Sequence, residues 1–317
     1  MSPKTTGLLD PQELNQFRPR EIHQSDINTA EICHLRLSYS KAPDRVYTSD
    51  INRAMGTAYH AGLALYYIQR MEGNLADKAD VVSEALAELN NEIARSDPQT
   101  FSWNYQQETA REQRIDLDLK DAENMLSALV VAYFDQGRAW PDEYEVKMVE
   151  KSIMLPLTDD TPHEENMWVR KGTVDLVLQG PDGWHRIVDH KTAKKKWQKN
   201  KESHRNTPQP GFYIGALQEI LQDDKVTFTY DIASWKGDFQ RIDAPRTVEQ
   251  IDAVKSKALL TTGLLEGKAF MPNTTSFLCS ERFCDYWLQC PHDDCLNSYP
   301  HTPHRREIDS LDEKTPT

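Results

Sequence analysis

The sequence of 317 residues contains no run of about 20 apolar residues, the length that a membrane-spanning helix needs. Its first residues, which include Asp10, Glu13 and Arg18, do not form a basic start followed by an apolar stretch, as a secretion signal would. We therefore expect a cytoplasmic protein without a membrane partner.

Positive charge is also in short supply. The chain has 37 Lys and Arg against 50 Asp and Glu, and its formal net charge is −13. This balance argues against indiscriminate coating of nucleic acid, although it is compatible with a local basic cleft. The hydrophobic content of 38% is ordinary for a globular protein, so we expect one main core with appendages.

Cysteine is scarce and unevenly placed. Cys33 stands alone, and four further cysteines crowd into the C-terminal segment, namely Cys279, Cys284, Cys290 and Cys295. In a reducing compartment such crowding is more typical of metal or cluster ligation than of disulfides. An iron–sulfur cluster, a zinc site and free buried thiols all remain compatible with this spacing.

The N-terminal half has the apolar period of amphipathic helices. A first helix is predicted to follow the cap candidates Thr48, Ser49 and Asp50, with two more over about 77–95 and 110–136. After Trp140 the period changes to two, which indicates strands. Strands are predicted within 144–157, 168–180 and 184–193, then a helix over about 208–222, a strand over 226–232 and a helix from a capping box at Thr247 to about Leu265.

Several carboxylates occur at strand positions where folding alone would favour an apolar residue. Asp175 lies in the middle of the second strand, and Asp189 and Lys191 share one face of the third. Alternation also places Glu150 on the face of Val146 and Met148 in the first strand. Taken singly, each acid could be an exposed strand residue or half of a salt bridge. Together they suggest a site.

Metal-assisted hydrolysis of a phosphodiester requires hard oxygen ligands and a group that activates water. Asp175 and Asp189 on adjacent strands can supply such ligands for Mg²⁺ or Mn²⁺. Lys191 can orient or deprotonate the water and offset charge on the phosphorane. The backbone carbonyl of His190 is a further candidate ligand.

At these residues the sequence resembles the PD-(D/E)XK nuclease superfamily, and within it the RecB-like exonucleases of the CRISPR-associated and phage-encoded stand-alone type. The resemblance spans about residues 22–295. Its motifs are "GTAYH" with Gly56 and His60, "GTVD" from Gly172 to Asp175, "DHKT" from Asp189 to Thr192, "QPGFY" with Gln209 and Tyr213, and the upstream acid Glu150.

The resemblance implies an α/β fold in which a mixed central sheet is flanked by helices. It implies a Mg²⁺- or Mn²⁺-dependent DNA exonuclease, acting in recombination, repair or phage DNA processing. His60 would be a metal ligand, and Gln209 and Tyr213 would orient Lys191 or contact DNA. The alternatives are a catalytically silent DNA-binding or assembly subunit with this fold, and a structure-selective endonuclease. Single strands or duplex ends of DNA are the expected partners, with a recombinase, a helicase or self-association as further possibilities.

The resemblance also bears on the cysteines. Iron–sulfur members of the group place one cysteine before the first catalytic helix and three after the core, which implies a 4Fe-4S cluster on Cys33, Cys279, Cys284 and Cys290. The C-x4-C-x5-C-x4-C spacing departs from the usual pattern, so Cys295 could replace Cys279, and Zn²⁺ is the alternative to the cluster.

A basic stretch follows the third strand directly. It contains Lys194, Lys195, Lys196 and Trp197. Charge runs are usually solvated surface, but beside a phosphodiester-cleaving site we expect the lysines to bind the DNA backbone and Trp197 to stack on a base.

The expected organisation of the chain is an N-terminal extension over 1–21, a helical region over 22–140, a nuclease core over 141–270, a cysteine-rich element over 271–300 and a polar tail over 301–317.

Overall fold

The computed structural model describes residues 20–42, 49–99, 101–106, 114–158, 167–197, 207–276, 278–280, 284, 286, 287 and 290. The chain divides into two compact units. The larger unit comprises residues 1–27 and 46–262, and the smaller comprises 28–45 and 263–317. No helix within the described ranges is long and apolar enough to cross a membrane.

A six-stranded mixed sheet forms the centre of the larger unit. Its strands are β1 (Arg20–Ile22), β4 (Glu145–Pro156), β5 (Trp168–Gln179), β6 (His185–Ala193), β7 (Val226–Ser234) and β8 (Phe239–Asp243). Five of them run in the order β1-β5-β6-β7-β8, and β4 pairs with β5. The β1–β5 and β6–β7 pairs are parallel and the others antiparallel.

The two edges of β5 are used differently. One edge pairs with β4 along nearly its whole length. The other is shared, because β1 pairs with Trp168–Arg170 and β6 pairs with Leu176–Gln179. The β5–β6 ladder therefore ends at the Leu176–Val188 pair, and Asp175 and Asp189 are the next residues on the two strands.

Three helices of the larger unit, which lie between β1 and β4 in sequence, pack together. They are α3 (Ile51–Met71), α4 (Lys78–Arg95) and α5 (Leu119–Asp135), and between α4 and α5 lies a small antiparallel pair, β2 (Asn104–Gln106) and β3 (Arg114–Asp116). Asp50 caps α3 by accepting a hydrogen bond from the Arg53 N–H at 2.9 Å, as the sequence predicted. Apolar residues on their facing sides form a common core, for example Met55, Leu89 and Leu126.

The third of these helices begins later than predicted. Residues 114–116 form β3 rather than helix, and Asp118 starts α5 by accepting a hydrogen bond from the Asp121 N–H at 2.7 Å. The expected start near residue 110 was therefore wrong, because a good N-cap lies eight residues further along the chain.

One further helix follows β6 and another follows β8. The helix α6 (Gln209–Leu221) lies between the parallel strands β6 and β7 in sequence, which need such a crossover. The helix α7 (Val248–Gly267) starts with the predicted capping box, in which Thr247 and Gln250 exchange hydrogen bonds of 3.0 and 3.3 Å. The predicted α/β fold, a mixed sheet flanked by helices, is confirmed.

The smaller unit combines N-terminal and C-terminal segments. Its N-terminal part contains α2 (His34–Ser40) and the end of α1 (Gln24–Ile32). The Leu35 N–H donates to the Met271 carbonyl at 3.3 Å, and Asn273 Nδ2 donates to the Ile32 carbonyl at 3.0 Å. Segments about 240 residues apart in sequence are thus held together by one backbone–backbone hydrogen bond and one bond from a side-chain amide to a backbone carbonyl.

Candidate active site

Asp189 and Lys191 lie on one face of β6, as strand alternation predicted. Lys191 Nζ is 2.7 Å from Asp189 Oδ2. The other carboxylate oxygen, Oδ1, accepts a hydrogen bond of 2.7 Å from Gln209 Nε2 at the start of α6. Asp189 is only 6% exposed, so both of its oxygens are directed by neighbouring side chains rather than by solvent.

Asp175 lies on β5 immediately beyond the end of the β5–β6 ladder. Its Oδ2 atom accepts a hydrogen bond of 2.8 Å from the His190 backbone N–H, so the carboxylate continues the link between the strands. The same oxygen is 3.4 Å from Nδ1 of His60, which α3 supplies. The sheet and the helix thus bring together two of the predicted motifs at one carboxylate.

Glu150 joins this pair from β4. Ligand atoms of His60, Glu150 and Asp175 all lie within 4.8 Å of one another, so the three side chains could hold a metal ion. Two carboxylates and one imidazole are ligands that suit Mg²⁺ or Mn²⁺ better than a thiolate set would.

The local backbone of β4 explains how Glu150 reaches the site. The β4–β5 register shifts between Val146 and Met148, and Glu150 has a positive φ of 44°. The bulge breaks the two-residue period between Val146 and Met148, so the expectation that Glu150 shares a face with Val146 is wrong. A non-glycine residue in this left-handed region is uncommon and is found more often at functional sites.

Charge crowding shifts the protonation equilibria of the cluster. Burial, together with the carboxylates of Asp175 and Asp189, raises the pKa of Glu150 to about 7. Burial raises the pKa of the Asp189 carboxyl, and the Lys191 ammonium opposes this rise. Burial acts to lower the pKa of Lys191, but Asp189 and Asp175 outweigh burial and raise it. The surrounding carboxylates thus stabilise the charged form of Lys191.

The imidazole of His190 is buried behind the site. Its ring stacks on Tyr67 at a centroid distance of 6.2 Å and meets the His60 ring edge-on at 6.0 Å. Burial lowers the pKa of His190 well below its usual value, so the ring is neutral at physiological pH. Tyr67 was not among the predicted site residues, although its position seven residues after His60 puts both on one face of α3.

The two motif glycines allow neighbouring elements to approach closely. A Cβ on Gly56 would lie 3.1 Å from Thr192 Oγ1, so this glycine seats α3 against the end of β6. A Cβ on Gly172 would lie 2.8 Å from the hydroxyl of Tyr213 on α6. Tyr213 is buried, and burial raises the pKa of its hydroxyl. Gln209 and Tyr213 therefore both face the strands that carry the acids.

The basic stretch after β6 is held partly by its own contacts. Lys196 Nζ lies 3.4 Å from Asp238 Oδ1, and the Trp197 ring packs at 5.2 Å on Tyr230. Lys195 and Lys196 are exposed and Lys194 is half-buried. The next basic residues in the sequence, Lys199, Lys201 and Arg205, lie outside the described residues.

The smaller unit brings four cysteines to one pocket. Cys33, at the N-cap of α2, lines it together with Cys279, Cys284 and Cys290. The Asn273 N–H donates to Cys33 Sγ at 3.4 Å, and all four thiols are free of disulfides. Much of the remaining lining is apolar or aromatic, including a stacked pair of tyrosines at 5.2 Å, Tyr39 and Tyr286. Cys295 lies outside the described residues.

Comparison with known proteins places this geometry in a family. No curated protein matches the chain significantly. Among solved structures, that of SSO0001 is 11% identical with a TM-score of 0.34, and the match covers 84% of this chain and 95% of that one. A protein from Eubacterium rectale, provisionally named an exonuclease, is 10% identical with a TM-score of 0.37, with 89% and 92% covered. A family model matches residues 22–291, and the chain therefore belongs to the PD-(D/E)XK nuclease superfamily.

Proposed function

We propose that this protein is a Mg²⁺- or Mn²⁺-dependent deoxyribonuclease that hydrolyses DNA phosphodiesters from an end, as a RecB-like exonuclease. The family supports a nuclease with DNA as its substrate. The observation that carries the proposal is the 2.7 Å contact between Lys191 Nζ and Asp189 Oδ2, next to Asp175 at the end of the β5–β6 ladder. It places a cation beside two carboxylates at one point of the sheet.

The residues present fit a divalent metal. His60, Glu150 and Asp175 offer ligand atoms within 4.8 Å of one another, and Asp189 and the His190 carbonyl are the next candidates. Burial and, after it, the neighbouring carboxylates of Asp175 and Asp189 raise the pKa of Glu150, and a bound cation would relieve the repulsion among these carboxylates. A divalent ion held there would polarise the phosphate and lower the pKa of a bound water.

The chain's own residues would do the remaining work. Lys191 keeps its positive charge because two carboxylates face it, so it can orient the attacking water and offset negative charge on the phosphate in the transition state. Gln209 holds Oδ1 of Asp189, which directs Oδ2 toward Lys191. Tyr213 packs on Gly172 and so fixes α6 against β5.

Substrate would be bound through the stretch that follows β6. Lys194, Lys195 and Lys196 would contact phosphates, and Trp197 would stack on a base of a single strand. This stretch begins three residues after Lys191, so DNA held by it would pass the carboxylate cluster. Contacts to the backbone would make binding independent of sequence.

The cysteine pocket supports the RecB-like assignment. Cys33, Cys279, Cys284 and Cys290 would hold a 4Fe-4S cluster, for which four thiols that are not in disulfides, around an apolar, aromatic pocket, are a suitable donor set. Because these ligands come from both ends of the chain, the cluster would contribute to folding of the smaller unit. A role in recombination, repair or phage DNA processing, with a recombinase or helicase as partner, follows from the same assignment.

The test of the proposed activity compares linear and circular DNA. Purified protein should release nucleotides from end-labelled linear DNA in Mg²⁺ or Mn²⁺, leave a covalently closed circle intact and be inactive in EDTA. Cleavage of the circle would show that the protein is an endonuclease and not an exonuclease. Binding without cleavage under every metal condition would favour the silent subunit.

A further inference from the structure

Arg246 joins the end of β8 to the start of α6 through backbone carbonyl groups. Its Nη1 atom donates to the carbonyls of Ala244 at 3.3 Å and Pro245 at 2.9 Å, and its Nη2 atom donates to the carbonyl of Thr207 at 3.3 Å. The Ala244 N–H in turn donates to the carbonyl of the buried Phe228 on β7 at 2.8 Å. The guanidinium thus ties Thr207 to the central sheet.

Thr207 lies two residues before the first residue of α6. Pro208 is the N-cap and makes no side-chain cap, whereas Thr207 Oγ1 accepts a hydrogen bond of 3.5 Å from the Gln209 N–H. Gln209 then donates from Nε2 to Asp189 Oδ1 at 2.7 Å. A continuous series of contacts therefore leads from Arg246 through Thr207 and Gln209 to the carboxylate that faces Lys191.

We infer that Arg246 is a positioning residue for the active site, acting through the start of α6. This inference rests on the proposed function, in which Asp189 and Lys191 act on the DNA. The two oxygens of Asp189 are divided between Gln209 and Lys191, so a shift of Gln209 frees the carboxylate to turn and changes where Lys191 Nζ lies. A displacement of about 1 Å at a catalytic group can lower the rate about 10²-fold without removing any catalytic atom.

The chemistry of the side chain suits this task. Two different nitrogens of one planar guanidinium reach the carbonyls on the two sides, which a single ammonium on a flexible stem cannot reproduce. Arg246 is half-buried, so water is poorly placed to take over its role. Its neighbours in sequence, Pro245 and Thr247, are exposed and gave no indication of a link to the catalytic motifs.

The test is a double-mutant cycle on Arg246→Lys and Gln209→Ala, read as kcat and KM on end-labelled linear DNA in Mg²⁺. Each single variant should lower kcat about tenfold with KM changed less than about twofold, because orientation and not DNA affinity is lost. The double variant should be no more than about twofold slower than Gln209→Ala alone, because both changes break the same series of contacts. A double variant whose loss of kcat equals the product of the two single losses would overturn the inference.

The matched control is Arg186→Lys. Arg186 is also half-buried and donates to Thr229 Oγ1 at 3.1 Å and Asp243 Oδ1 at 3.0 Å, but neither contact leads to Gln209. Arg186→Lys should keep kcat near wild type at an unchanged thermal midpoint. Equal losses in the Arg186 and Arg246 variants would indicate general destabilisation and contradict the positioning role. If Arg246→Lys does not fold, Arg246→Gln takes its place in the cycle with the same expected result.

Different results would refute the role of Arg246 and the proposed nuclease function. Wild-type kcat in Arg246→Lys and Gln209→Ala, with an inactive Lys191→Ala protein, would leave the nuclease assignment intact and refute the role of Arg246. Full activity of Lys191→Ala would refute the proposed function itself.

Discussion

Gly172 on β5 and Tyr213 on α6 are in such close contact that a Cβ on Gly172 would lie 2.8 Å from the Tyr213 hydroxyl oxygen. Gly172 precedes Asp175 by three residues, and Tyr213 follows Gln209 by four. The contact therefore fixes the distance between the strand that carries one acid and the helix that directs the other. It gives a packing reason for glycine in the "GTVD" motif.

Replacing Gly172 by alanine should destabilise the protein. Because Tyr213 is buried and cannot move without disturbing its neighbours, the added methyl group should cost about 1–3 kcal/mol of unfolding free energy. Urea denaturation measures the loss, and cleavage should fall with it because α6 is displaced. Gly263→Ala is the control, since a Cβ there meets nothing within 4 Å. Equal stability of the two variants would refute the packing argument.

Stability in metal-free buffer should depend on pH through Glu150. Its pKa is raised in the folded protein from 4.5 to about 7, so the unfolded chain loses this proton first. The stability that the protonated carboxyl contributes is complete below about pH 4.5 and is lost as the pH rises to about 7.

Glu150→Gln should therefore become more stable than wild type as the pH is raised from 5 to 8 in EDTA, and Mg²⁺ should cancel this advantage. Thermal midpoints across the pH series provide the measurement. Glu145→Gln removes the same charge from β4 and serves as the comparison. A Glu150→Gln protein whose midpoint follows wild type at every pH would show that the carboxylates do not repel one another.

Neutralising Lys194, Lys195 and Lys196 together should lower DNA affinity by a similar factor for all DNA sequences. Each lost phosphate contact should reduce the slope of log K against log salt by about 0.9 for duplex DNA or about 0.7 for a single strand. Fluorescence anisotropy in EDTA at several salt concentrations measures the slope. Neutralising Lys78, Lys120 and Lys225, which are exposed lysines elsewhere, changes the net charge equally and should leave the slope nearly unchanged. The same slope in both triple variants would exclude the stretch as the DNA contact.

Anaerobically purified protein should be brown, contain iron and absorb broadly near ~400 nm, as thiolate-bound clusters do. Cys33→Ser should lose both colour and solubility, because a ligand from the other end of the chain makes cluster binding part of folding. Cys295→Ser should retain both if Cys295 is the spare cysteine. Colourless wild-type protein with stoichiometric zinc would establish the zinc alternative instead.

Much of the fold could be predicted because its signals are local. A cap at Asp50 and an apolar stripe predicted helix α3. Alternating apolar and polar residues on both sides of a turn predicted strands β5 and β6. The strand β1 could not be predicted in this way. It has three residues, and it forms because β6 pairs with the same edge of β5 only at Leu176–Gln179, which leaves Trp168–Arg170 to pair with β1.

The site shows the same division between local and long-range information. The neighbourhood of Asp189 and Lys191 follows from strand alternation, and their side chains do meet. The position of Glu150 depends on a bulge and a positive φ, which no period in the sequence reports. The hydrogen bond from the His190 N–H to Asp175 depends on where the β5–β6 ladder ends, which is a property of the whole sheet.

The single-turnover cleavage rate of Lys191→Ala on end-labelled DNA in Mg²⁺ tests whether Lys191 acts on the DNA beside Asp189 and Asp175. We expect a loss of about 10²-fold or more, because a preorganised positive charge at the phosphate is removed. DNA affinity in EDTA and the thermal midpoint should stay close to wild type. Cleavage at the wild-type rate, with contaminating nuclease excluded, would refute this role of Lys191 and leave a DNA-binding subunit as the better description.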